Sequence, residues 1–96
     1  MLVLSGIAES MRDRNDNIVK GSTYEFNLFC QNESLDEQLN SIEEYMNKKG
    51  WDNIVINQQE LINDISQINH EVLLDAYQVA EVEGISGVVN KTPIAA

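Results

Sequence analysis

The sequence predicts an α+β domain: a two-layer α/β sandwich in which two helices cover one face of a four- to five-stranded sheet. Three observations carry that expectation. Segments 2–10, 18–30, 51–57 and 85–91 are rich in β-branched and aromatic residues. Segments 34–50 and 69–84 repeat apolar residues at steps of three and four. Ninety-six residues, with one proline and five glycines, suffice for one core and a single domain over 1–96.

The first strand is expected over residues 2–10. Leu2 and Leu4 share a face, Val3 and Ile7 interrupt a clean alternation, and Gly6 marks a bulge. Arg12 to Asn17 is a polar turn, since Asn and Asp hydrogen-bond their own backbone and tolerate left-handed conformations. The second extended segment, Ile18 to Cys30, is broken near Gly21. Its best part is Thr23 to Cys30, where Tyr24, Phe26, Leu28 and Cys30 alternate with Glu25, Asn27 and Phe29. These two segments form a hairpin.

Ser34 to Gly50 is the most regular stretch of the chain. Ser34 and Glu37 have the spacing of a capping box. Leu35, Leu39, Ile42 and Met46 form an apolar stripe directed at the core, flanked by Tyr45. Asp36 and Glu37 suit the positive end of the helix dipole, Lys48 and Lys49 the negative end, and Gly50 stops the helix. A third strand follows over Trp51 to Asn57, with Ile54 and Ile56 on one side, Val55 on the other, and Trp51 covering the core edge. Gln58 to Asn63 reads as a strand extension, a turn, or a short extra strand through Glu60, Leu61 and Ile62. The second helix starts near Asn69 and ends at Gly84. Its apolar face is Val72, Leu73, Ala76, Tyr77, Val79 and Ala80, with Leu74 outside it. Ile85 to Lys91 is the last strand, and residues 92–96 form a fraying tail. The order is ββαβαβ. With a separate strand at 58–63, residues 22–91 read βαββαβ and the architecture resembles ferredoxin-like domains, a likeness that implies no function.

Sixteen acids stand against six Lys and Arg, for a net charge of −10. Residues 1–24 balance to zero, whereas residues 25–83 hold thirteen acids against Lys48 and Lys49, a net of −11. Such a chain is repelled by nucleic-acid phosphates and anionic membranes and attracted to basic proteins. No apolar run approaches the ~20 residues of a membrane span. Met1 to Leu4 is apolar but too short for a secretory leader and lacks a basic flank. The lone Cys30 forms no internal disulfide, reads as a small buried hydrophobe, and suits a cytoplasmic setting.

Chemistry-bearing motifs are sparse. Asp13, Asn15 and Asn17 match the start of a calcium loop, but Ile18 stands where glycine is needed and Tyr24 where glutamate is needed. His70 is the single histidine, with only Glu71 as a close acidic neighbour. No glycine-rich phosphate loop and no Gly-x-Ser-x-Gly nucleophile turn occurs. The chain is therefore expected to be a non-enzyme without metal or cofactor.

The expected function is that of a small acidic protein-binding module. It would act as an inhibitor or neutralising, immunity-type protein, as bacterial or phage accessory proteins do, docking on a basic surface of a nuclease, toxin or nucleic-acid-binding machine. The expected docking residues are Asp36, Glu37, Glu43, Glu44, Glu71 and Asp75. The alternative is a self-associating structural or assembly subunit, a homodimer paired through an exposed edge at Ile85 to Lys91 or through the N-terminal hairpin, with Leu74 and Val82 in an apolar contact.

Overall fold

The strands and helices follow the expected order in a computed structural model that describes residues 1–13, 18–92 and 94. They are β1 (Leu2–Ser10), β2 (Thr23–Cys30), α1 (Leu35–Lys48), β3 (Trp51–Leu61), α2 (Glu71–Glu83) and β4 (Ile85–Val89), with one 3-10 turn at Ile65–Gln67. The four-stranded sheet has the order β3-β1-β2-β4, and every neighbouring pair is antiparallel. β2 and β3 therefore run parallel with β1 between them, and α1 is the crossover that joins them. The segment through α2 carries the chain from one edge of the sheet to the other.

The two helices lie on opposite faces of the sheet, so the expectation that both cover one face is corrected. Ile42 and Met46 of α1 pack with Leu2, Leu4, Tyr24, Phe26, Leu28 and Cys30. Ala76 and Ala80 of α2 pack with Phe29, joined by Val3, Ile62, Leu73, Tyr77 and Val88. Phe29 and Tyr77 meet edge to face, with ring centroids 6.2 Å apart. The cause is the two-residue period of a strand: Leu28 and Phe29 are neighbours in sequence but sit on opposite faces. Val3, an interruption in a one-sided pattern, is a second-face residue in a two-sided one. The sheet is the middle of three layers.

A separate fifth strand is not found among the described residues, and the ferredoxin-like order falls with it. Gln58 to Leu61 instead continue β3, with Leu61 opposite Leu2 and Gln59 opposite Leu4. The pairing with β1 is irregular between Ser5 and Gly6 and again between Ile7 and Glu9. The first of these is the bulge expected at Gly6. The strands approach so closely there that a Cβ on Gly6 would run into the Val55 carbonyl.

α1 begins as expected at Ser34 but is capped differently. Ser34 makes no side-chain cap hydrogen bond. Instead Asn32 Oδ1 accepts from the Ser34 amide at 2.9 Å, and Gln38 Nε2 donates to the Asn32 and Ser34 carbonyls at 2.6 and 2.9 Å. Gln38 is consequently buried, while Leu39, expected in the core, is 44% exposed. The helix is rotated so that Gln38, Ile42 and Met46, four residues apart, face the sheet. It stops as expected, with Gly50 at φ 90°. In α2 the cap is His70 rather than Asn69: His70 Nδ1 accepts from the Val72 amide at 3.3 Å.

Tyr24 is fully buried, and its hydroxyl accepts from the Val19 amide at 2.8 Å, which ties the end of the β1–β2 connection to the core. Residues 14–17 of that connection, with most of the calcium-like motif, lie outside the described residues. So do Pro93, Ala95 and Ala96 of the expected tail. Within that tail, Ile94 is held by its amide, which donates to the Thr23 carbonyl at 2.9 Å.

Leu39 and Ile42 test the rotation of α1. Ile42→Ala is expected to cost about 2–5 kcal/mol in urea unfolding. Leu39→Ala is expected to cost less than about 1 kcal/mol. Equal costs would place the helix in the orientation read from sequence.

Candidate functional site

The outer face of α1 carries its acids in two rows. Asp36 and Glu43 form one row, Glu37 and Glu44 the other, each pair seven residues and about 10 Å apart. The spacing follows from the helix. With Gln38, Ile42 and Met46 turned inward, these four positions point away from the sheet, and all four side chains are exposed. Glu44 meets Lys48 at 3.4 Å, and both remain largely in solvent. A pair so exposed is screened and contributes at most about 1 kcal/mol. The other ion pair among the described residues joins Glu33 to the Met1 amino group at 2.6 Å.

Glu71 and Asp75 are also exposed, but they lie on α2, across the sheet from α1. The six acids grouped by sequence therefore divide into two surfaces. Asp36, Glu37, Glu43 and Glu44 stand together; Glu71 and Asp75 form a separate pair one turn apart. All thirteen acids of residues 25–83 are exposed, spread over both helices, β2, β3 and the loops.

A feature that sequence reasoning missed is a hollow of about 950 Å³ at the end of β4. Its walls include Arg12, Lys49, Trp51, His70, Leu73 and Lys91. These come from four places: the β1–β2 connection, the α1–β3 junction, the start of α2 and the end of β4. No local spacing links residues so far apart, and the sequence holds no signal that joins them. The hollow contains none of the six acids named above.

Cys30 is a core residue. It is fully buried, and burial pushes its thiol from an ordinary 9.0 up to about 11. A thiol held neutral in this way is a poor nucleophile and a poor metal ligand. The Nδ1 of His70 is used as the α2 cap. Trp51 packs edge to face on Tyr24 with centroids 5.6 Å apart, as expected of a residue at the core edge. No cluster of three or more His, Cys, Asp or Glu able to hold a metal occurs among the described residues, nor does any helix long and apolar enough to cross a membrane.

No family model, no curated protein and no solved structure matches this chain.

The buried thiol makes stability pH-dependent. The folded state holds the Cys30 proton more tightly than the unfolded chain does. Its contribution is therefore constant below pH 9 and is lost as pH rises toward about 11. Burial also raises Tyr45, which extends the loss at alkaline pH. Urea unfolding across pH 8–11 is expected to show this decline, and Cys30→Ala to reduce it. An unchanged slope in that variant would mean the thiol is exposed to solvent.

Proposed function

We propose that this chain is a non-catalytic protein-binding module that docks the acidic outer face of α1 on a basic protein surface. It works as a small inhibitor or neutralising protein of cytoplasmic enzymes or machines that handle nucleic acid, or of a toxin. Surfaces that hold phosphate are basic, and a helix bearing carboxylates in two rows competes for the same charge. The observation that supports this reading is the pairing pattern: of Asp36, Glu37, Glu43 and Glu44, only Glu44 has an ion-pair partner among the described residues, and that pair is open to solvent. Unpaired surface charge of one sign accelerates encounter with a partner of the other sign and sets orientation.

The test uses the tagged chain as bait beside a variant carrying Asp36→Asn, Glu37→Gln, Glu43→Gln and Glu44→Gln. The wild type is expected to retain a basic protein that the variant loses. Its association rate is expected to fall roughly tenfold or more between low and physiological salt. Equal retention by both baits, or a rate indifferent to salt, would remove α1 from the interface.

One observation favours a second reading, self-association. The Asn90 amide donates to the Glu25 carbonyl, and the Gln31 amide to the Gly84 carbonyl. This alternation turns the N–H and C=O groups of Ile85, Gly87 and Val89 away from β2. The Tyr45 ring lies beside Gly87, and the outward row is otherwise the free edge of the sheet. β4 carries no charged residue, whereas the opposite edge, β3, presents Asp52, Glu60 and the left-handed Asn53. Val82 of α2 adds an 87% exposed apolar side chain. In this reading light scattering finds a dimer at micromolar concentration. Val89→Pro, which removes an outward N–H and leaves the β2 ladder intact, returns it to monomer. A wild-type monomer at every concentration would end the reading.

A further inference from the structure

We propose that the hollow at the end of β4 binds a small organic anion with an apolar body, its charged group held by Arg12 and Lys49. Acids outnumber Lys and Arg sixteen to six in the chain, yet three of those six bases line this hollow and, among the described residues, no acid does. Its lining is thus opposite in sign to the rest of the domain. The positive end of α2 adds to it: His70 caps the helix, and Val72 and Leu73 of the first turn form part of the wall. Glu71, in the same turn, is exposed and is not part of the lining.

Shape and polarity narrow the ligand. About 950 Å³ is the size of a small-molecule site and is larger than a bare inorganic anion requires. Ile18, Val72, Leu73, Val88 and Val89 supply apolar wall beside the cations. Lys49 is held over the Tyr45 ring, with its ammonium 5.0 Å from the ring centroid. A carboxylate or phosphate ester attached to an alkyl or aryl body matches both parts of the lining. The net charge of −10 does not forbid this. At physiological salt, acids farther than about 8 Å are largely screened, whereas cations in the wall act at hydrogen-bonding distance.

The site is separate from the acidic face of α1, so its test stands apart from the docking proposal. Three probes are titrated into ¹⁵N-labelled protein at physiological salt: octanoate, octanol and inorganic phosphate. Octanoate is expected to give saturable amide shifts centred on residues 49–51, 70–73 and 87–91, and to bind more tightly than octanol, which lacks the charge, or phosphate, which lacks the tail. Arg12→Gln combined with Lys49→Gln is expected to weaken octanoate about tenfold. Lys20→Gln combined with Lys48→Gln removes the same charge outside the hollow and is expected to leave affinity unchanged. The amide spectrum reports at once that each variant is folded. The proposal is overturned if octanoate shifts do not saturate or spread over the whole sheet, if octanol or phosphate binds as well as octanoate, or if both double variants weaken binding equally.

Discussion

The pairing of β1 with strands on both of its sides is the constraint on which the rest of the structure depends. Its bond with β2 closes a hairpin, and its bond with β3 reaches across the chain to set Leu2 opposite Leu61. Both apolar clusters include β1 residues: Leu2, Leu4 and Ala8 in one, Val3 in the other. A central strand with apolar groups on both sides needs cover on both sides. α1 and α2 provide one layer each. Gly6 matters for the same reason, because the β3 backbone at Val55 comes too close for any side chain.

This three-layer arrangement decides what the surface presents. Each helix buries one side and turns the other to solvent, so the acids on α1 and those on α2 face in opposite directions. The expected docking set is thereby cut from six residues to the four carboxylates of α1. The basic groups are distributed differently. Arg12, Lys49 and Lys91 come from loops and element ends, and those ends gather where β4 finishes.

The rotation of α1 shows how a polar contact overrides an apolar stripe. Leu39 has the better burial free energy taken alone. Gln38, however, donates from its side-chain amide to the Asn32 and Ser34 carbonyls, which ties the start of the helix to the loop before it. A buried amide costs little when hydrogen-bonded and several kcal/mol when it is not. With Gln38, Ile42 and Met46 inward, Leu39 moves toward solvent. The helix itself was legible in the sequence; its orientation was not, because the deciding carbonyls belong to the preceding loop.

What the sequence determined by itself is local. The period of two in Tyr24 to Cys30 made β2, the steps of three and four made α1 and α2, and Gly50 and Gly84 ended those helices at positive φ. These signals reach no farther than one helical turn or a neighbouring residue, so one segment is enough to read them. Tertiary structure decided the rest. The run Gln58 to Leu61 has no strand periodicity and extends β3 only because β1 offers it a ladder. Both helices are amphipathic, but only the sheet's second apolar face, through Val3, Phe29 and Val88, sends α2 to the side away from α1. The acidic rows on α1 could be foreseen from helical spacing. The cationic hollow could not, because it exists only where four distant segments meet.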